Sequence, residues 1–223
     1  MPSKSYINFL HIRMDVLKLI ETHTYYTKNK SSNTSLGHLT RSAIVMLCAA
    51  WERYNEDLLI EAIENICDSI TDVNLLNKKI KKTISSKVKL DKNESKPIEL
   101  AGDGWKSVWK SYAVSETKVL HTPKSNKLKA LFDTYLGIPD YTRIWSTTNP
   151  EEIDAFVSVR GDIAHNGNKA SYANINKLRV YQDMIIDNVI NIDSNIADEI
   201  ARMTGSADLP WEKNYYTDLK KYK

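Results

Sequence analysis

The chain reads as an all-α protein, a helical bundle built on long antiparallel helices with additional shorter ones. Three observations predict this. Only seven Gly and six Pro occur in 223 residues, which leaves few sites for tight turns. Apolar residues recur at spacings of three and four over most of the length. No run alternates with the period of two that marks a half-buried strand. A composition of 42% hydrophobic and 26% charged residues is that of a folded globular chain, here one domain over residues 1–205 followed by a tail, 206–223.

The first helix is expected from Ser5 to Thr27, carried by Ile7, Leu10, Met14 and Leu17. His11 and His23 lie on it as exposed or partly packed side chains. Lys28 to Gly37 is a polar loop. The longest helix starts at Ser35 or His38 and runs to about Ile70. From Ala43 to Ala50 it is apolar nearly all round, which places it at the centre of the core. Trp51-Glu52-Arg53-Tyr54 then sets a carboxylate among aromatics. Glu52 has two readings: an exposed charge paired to a neighbour, or a carboxylate that fixes Arg160 in a two-pronged hydrogen bond.

Thr71 to Lys89 predicts a third helix, with Val73, Leu75, Leu76, Ile80 and Ile84 inward and lysines 78, 79, 81 and 82 outward. Such a basic face is usually solvated, and phosphate contact is the alternative. Lys89 to Gly104 is the least structured segment, and residues 85–104 form a loop or insertion. Its Gly102-Asp103-Gly104 has no Lys-Ser/Thr downstream and is not a phosphate loop. A helix follows from Trp105 to Val119, with Trp105 and Trp109 as core residues. The next spans Ser125 to Leu136, with Leu128, Leu131, Phe132 and Tyr135 inward and Gly137 at its end.

Residues 151–167, EEIDAFVSVRGDIAHNG, form the segment with chemistry in it. Asn149 is a good cap, Pro150 suits the first turn, and Glu151 and Glu152 complement the positive helix end. Ile153, Phe156, Val157 and Ile163 supply a buried face. Gly167 stops the helix, because Gly tolerates left-handed backbone. Arg160 lies within this helix and His165 in its last turn. Five positions correspond to about 140° of rotation on an ideal helix. The two side chains therefore converge on one substrate only at a distorted helix end or across a two-fold interface. The last helix is expected from Ser171 to about Met203, with Ile175, Leu178, Tyr181 or Val180, Ile185, Val189, Ile192, Ile196 and Ile200 along its buried stripe. Gly205 closes it. The basic, aromatic tail is disordered or packs back through Trp211.

Several classes of function are absent from the pattern. The N-terminus lacks a signal-type apolar run, and no stretch approaches a membrane span. Cys48 and Cys67 fall on one helix about 28 Å apart, too far to pair. A reduced, cytoplasmic setting is expected, and the sequons at Asn33 and Asn93 are accidental. Five His and two Cys show no metal-ligand spacing. No dinucleotide fingerprint and no nucleophile elbow occur. The net charge of +3 permits nucleic acid without requiring it. The expectation is an enzyme without cofactor or metal, using His for proton transfer and Arg to neutralise charge on phosphorus.

The ordered set Trp51-Glu52-x-Tyr54, then Ser125-Asn-Lys-x-x-x-Leu131-Phe132-x-x-x-Leu136-Gly137, then Trp145, then Arg160-Gly-Asp-Ile-Ala-His165-Asn-Gly resembles the HEPN superfamily. It is most similar to the RiboL-PSP-associated HEPN group, from roughly Arg41 to Ile190. The Arg–His spacing alone is unspecific, whereas the ordered set is specific. The resemblance implies a metal-independent endoribonuclease, a toxin or antiviral effector, in which the 2′-OH attacks the adjacent phosphate to leave a 2′,3′-cyclic phosphate. Arg160 and His165 would be catalytic, with Asp162, Asn166 and Glu52 in support. It further implies an RNA substrate, a homodimer with a composite site, and control by an antitoxin or regulatory protein. Family members commonly carry a polar residue after the Arg. Here Gly161 stands there, so either Asp162 takes the supporting place or the site is weakened. A non-catalytic HEPN module that binds RNA or a protein is the second reading, and an unrelated helical adaptor the third.

Overall fold

The computed structural model of the chain describes residues 1–29, 36–167 and 173–213. The regular structure among them is helical throughout: α1 (Lys4–Asn29), α2 (Gly37–Ser69), α3 (Lys78–Leu90), α4 (Gly104–Thr117), α5 (Ser125–Leu136), α6 (Glu151–Asn166) and α7 (Ile175–Thr204), with short 3-10 turns between some of them. The bundle is organised around α2. It packs along α1 and α7 and also touches α4, α5 and α6. Ala43, Ile44, Leu47, Ala50 and Trp51 are completely buried, but Val45 and Met46 are only partly buried and Ala49 is exposed, so the stretch expected to be buried all round faces the core on part of its circumference. None of the helices is long and apolar enough to cross a membrane, among the described residues. Cys48 and Cys67 are buried and unpaired.

The third helix starts later than its apolar spacing predicts. Asp72 accepts a hydrogen bond from the Asn74 amide and Asn77 from the Lys79 amide, each at 2.8 Å. Short polar side chains that bond backbone two residues on open local turns in place of a helix. Residues Val73–Leu75 therefore form a 3-10 turn, Val73 and Leu75 are exposed, and Ile80, Ile84 and Val88 make the buried face. The stretch after α3 is tied down. Asp91 and Asn93 each accept from the amide two residues on, and a 3-10 turn spans Lys96–Leu100. The Tyr112 hydroxyl of α4 donates to Asp91 at 2.6 Å. At Gly104 a Cβ would fall 1.9 Å from the Glu99 carbonyl oxygen, so only glycine allows this close approach.

The route from α5 to α6 is an aromatic stack. Gly137 ends α5 with φ of 67°. The Phe132 and Tyr141 rings stack at 3.6 Å, and Trp145 meets Tyr141 and Trp51 edge-on. The Tyr141 hydroxyl donates to Asn55 of α2 at 2.7 Å. The amides of Ser146 and Thr147 donate to Asn188 of α7. These bonds fix where α6 begins. Asn149 then accepts from the Glu151 amide, Ile153, Phe156 and Val157 are buried, and Ile163 is partly buried against the core.

Ser171, the expected start of the last helix, and residues 30–35 of the first polar loop lie outside the described residues. The helix begins at Ile175, where Asn174 accepts from the Lys177 amide. Of the two candidates for its buried stripe, Tyr181 faces inward and Val180 is exposed. The tail packs back as far as it is described: Trp211 is buried and its indole donates to the Asp193 carbonyl at 3.0 Å. Residues 214–223 lie outside the described residues.

Candidate functional site

The second half of α6 leaves the core. Beyond Val157 the helix presents Arg160, Asp162, Ala164, His165 and Asn166 to solvent. Arg160 and His165 make no hydrogen bond or ion pair among the described residues. Both belong to the same continuous helix, so they point in different directions, about 140° apart around its axis.

Arg160 nevertheless acts on α2. Its charge is felt by Glu52 and by Cys48 one turn earlier. Burial raises the half-buried Glu52 carboxyl above its ordinary range, and Arg160, His121 and Lys127, in that order, pull it back. Burial pushes the Cys48 thiol up to about 12, and Glu52 adds to the effect. A thiol held there is protonated and unreactive near neutral pH. Of the two readings of Glu52, the two-pronged bond to Arg160 is not made. The groups are electrostatic neighbours without a hydrogen bond or ion pair between them. Four residues from Glu52, Glu56 is raised to about 7 by burial first and then by the Glu52 charge, with Arg53 opposing.

His121 and Lys127 are functional candidates that the sequence pattern passes over. His121 lies in the connection between α4 and α5, and Lys127 in the first turn of α5. Two anchors bring them to Glu52. The Trp51 indole donates to the Pro123 carbonyl at 3.1 Å, pinning the connection to α2. Asp154 of α6 accepts from the Ser125 amide at 2.6 Å and from its hydroxyl at 2.8 Å, pinning the start of α5 to α6. No sequence spacing encodes a three-helix junction of this kind. The dipeptide Trp51-Glu52 and Ser125 at the first position of α5 are its only local traces.

The helix glycine in the motif has open space beside it. A Cβ at Gly161 would meet nothing within 4 Å, so among the described residues no other helix comes close enough to require glycine there. The lysine face of α3 is partly committed: Lys79 pairs with Asp133 at 2.8 Å and Lys87 with Glu116 at 2.7 Å. Among the described residues no three His, Cys, Asp or Glu side chains are grouped as a metal site would need.

A family model described as RiboL-PSP-HEPN matches residues 14–200. The match includes every residue of the junction, and it extends beyond the 41–190 stretch on which the sequence motifs rest. No curated protein and no solved structure matches the chain.

Proposed function

The chain belongs to the RiboL-PSP-HEPN family, and from that premise we propose that it is a metal-independent endoribonuclease acting on RNA as a homodimer. The observation that carries this reading is the end of α6. Arg160 and His165 stand exposed there without a bond to any described residue, and Arg160 shares the Glu52 carboxyl as an electrostatic neighbour with His121 and Lys127. An unpaired guanidinium next to His121 and Lys127 is suited to a phosphodiester.

In this mechanism the 2′-OH of one ribose attacks the adjacent phosphorus and the bond to the 5′-oxygen of the next nucleotide breaks. The products are a 2′,3′-cyclic phosphate and a 5′-OH. Arg160 neutralises the charge that builds on the equatorial phosphorane oxygens. His165 takes the proton from the 2′-OH as the bond to phosphorus forms, and solvent protonates the leaving 5′-oxygen. The rotation between the two motif positions supports a composite site, in which a two-fold axis brings together side chains that one helix holds apart. The open space at Gly161 leaves room for a second copy of α6. Asp162 and Asn166 flank the pair in supporting places, and Glu52 orients Arg160 through charge. A toxin or antiviral role, control by an antitoxin and a cytoplasmic setting complete the reading.

The test is cleavage of end-labelled RNA by purified protein in excess chelator. The wild type is expected to cut and to leave cyclic phosphate ends. His165→Ala is expected to lose at least about a hundredfold in rate, the scale of general acid–base catalysis. Unchanged cleavage in that variant removes the mechanism. RNA binding without cleavage by the wild type favours the non-catalytic HEPN module.

A further inference from the structure

A groove of about 390 Å³ opens beside the three-helix junction, between the ends of α3 and α4 and the outer face of α5. Its apolar lining comes from Val119, Leu120, Ala130 and Leu131. Val119 is 63% exposed and Leu120 is buried beneath it. Val119 stands out because a large, mostly exposed apolar side chain at a groove rim offers an apolar contact to a ring. Lys127 lines the same groove and also faces Glu52 together with Arg160. One ammonium thus belongs both to the groove and to the cationic cluster proposed to hold the scissile phosphate.

The polar wall of the groove is Glu116. One of its oxygens, Oε2, accepts from Lys87 at 2.7 Å and from the Tyr135 hydroxyl at 3.3 Å. Oε1 has no such bond. Two donors hold the carboxylate in place and leave its second oxygen to accept from a ligand. The size fits one nucleobase with part of its sugar, and carboxylate acceptors read exocyclic amino groups.

We propose that this groove is a nucleobase subsite of the ribonuclease. It receives the base next to the scissile phosphate in single-stranded RNA and prefers one with an exocyclic amino group, adenine, cytosine or guanine, over uracil. Lys127 holds the intervening phosphate, Val119 contacts the ring face, and Glu116 Oε1 accepts from the amino group. The inference rests on the ribonuclease reading and adds to it the identity of the neighbouring base.

Two measurements test it. The first uses oligonucleotides with a single ribose in a deoxy background and each of the four bases at the positions on either side. The wild type is expected to favour amino-bearing bases at one of these positions by about tenfold, the discrimination of one good base contact. Glu116→Gln should reduce that preference to within about twofold, and Val119→Trp, which fills the groove, should lower kcat/KM about tenfold. A wild type without base preference, or variants that keep its pattern, overturns the subsite. The second measurement is fluorescence anisotropy with an all-2′-O-methyl oligonucleotide, which cannot be cleaved by 2′-OH attack. Weaker binding by Val119→Trp and Lys127→Ala, with unchanged circular dichroism, supports the subsite even if the wild type cuts nothing. Unchanged binding in both variants overturns it, whereas absence of cleavage alone overturns only the ribonuclease reading.

Discussion

Glu56 is the residue whose surroundings depart most usefully from its ordinary chemistry. Its carboxyl is raised to about 7, first by burial and next by Glu52. The folded state therefore disfavours its ionised form. The stability from the protonated group is fully present below the unfolded value near 4.5 and is lost as pH rises through about 7. Solvent reaches this half-buried side chain, so the loss is about 1–2 kcal/mol. Glu56→Gln should flatten it: equal to wild type near pH 4.5 and more stable by that amount at pH 8, read from urea denaturation at both pH values. Gly161 makes the second case. Its Cβ position is open, so Gly161→Ala should stabilise the isolated chain by about 1 kcal/mol, the helix propensity difference. If a second α6 occupies that space, the same substitution weakens the dimer. The expected signature is a higher Tm at low concentration together with slower sedimentation at high concentration. A rise in Tm with an unchanged sedimentation profile removes Gly161 from the interface.

Among the elements, α5 depends on its neighbour for a good start. Its Ser125 amide and hydroxyl both bond Asp154 of α6. Asp154→Ala should cost about 1–2 kcal/mol, as loss of a helix cap does. Ser125→Ala should cost less, because the amide bond to Asp154 survives. The graded loss is measured by urea denaturation. Asp154→Ala should also slow RNA cleavage, since it frees the start of α5 that presents Lys127, while Arg160 and His165 stay unaltered. The elements that were legible in the sequence are those whose signals are local. The α5 bounds follow from its apolar spacing and Gly137. The α6 bounds follow from Asn149, two glutamates and Gly167. Where side chains compete with the helix the spacing misleads: Asp72 and Asn77 hold turns that turn an apparent third helix outward at Val73 and Leu75. The candidate site divides along the same line. Arg160, His165 and Glu52 sit in contiguous motifs and can be read directly. Of the two readings of Glu52, the direct bond to Arg160 is not formed, and His121 and Lys127 join the cluster only through long-range anchors at Trp51 and Asp154.

At the scale of the whole molecule, one helix cannot turn Arg160 and His165 onto the same phosphate. The α6 axis is continuous through both positions, and its inner face is occupied by Ile153, Phe156 and Val157 packed on the core. Bending the helix between the two positions would break its backbone hydrogen bonds and pull the partly buried Ile163 off the core, at about 25 cal/mol for each Å² of apolar surface exposed. In the proposed dimer, a second copy related by a two-fold axis would supply the missing side chain without altering the fold of either chain. This geometry makes a mixing experiment decisive. Arg160→Ala and His165→Ala homodimers are each expected to be inactive. When the two are unfolded together and refolded, half of the dimers are mixed by random pairing. Each mixed dimer carries one intact Arg160 and one intact His165 on opposite subunits. A composite cleft predicts that cleavage returns to a measurable fraction of wild type and that the returned activity follows the amount of mixed dimer. Two independent sites predict no return, because neither subunit of the mixed dimer holds a complete pair. A protein that sediments as a monomer at micromolar concentration while still cutting RNA would place both groups on one chain, and the continuous α6 would then have to open at Gly161 during the reaction.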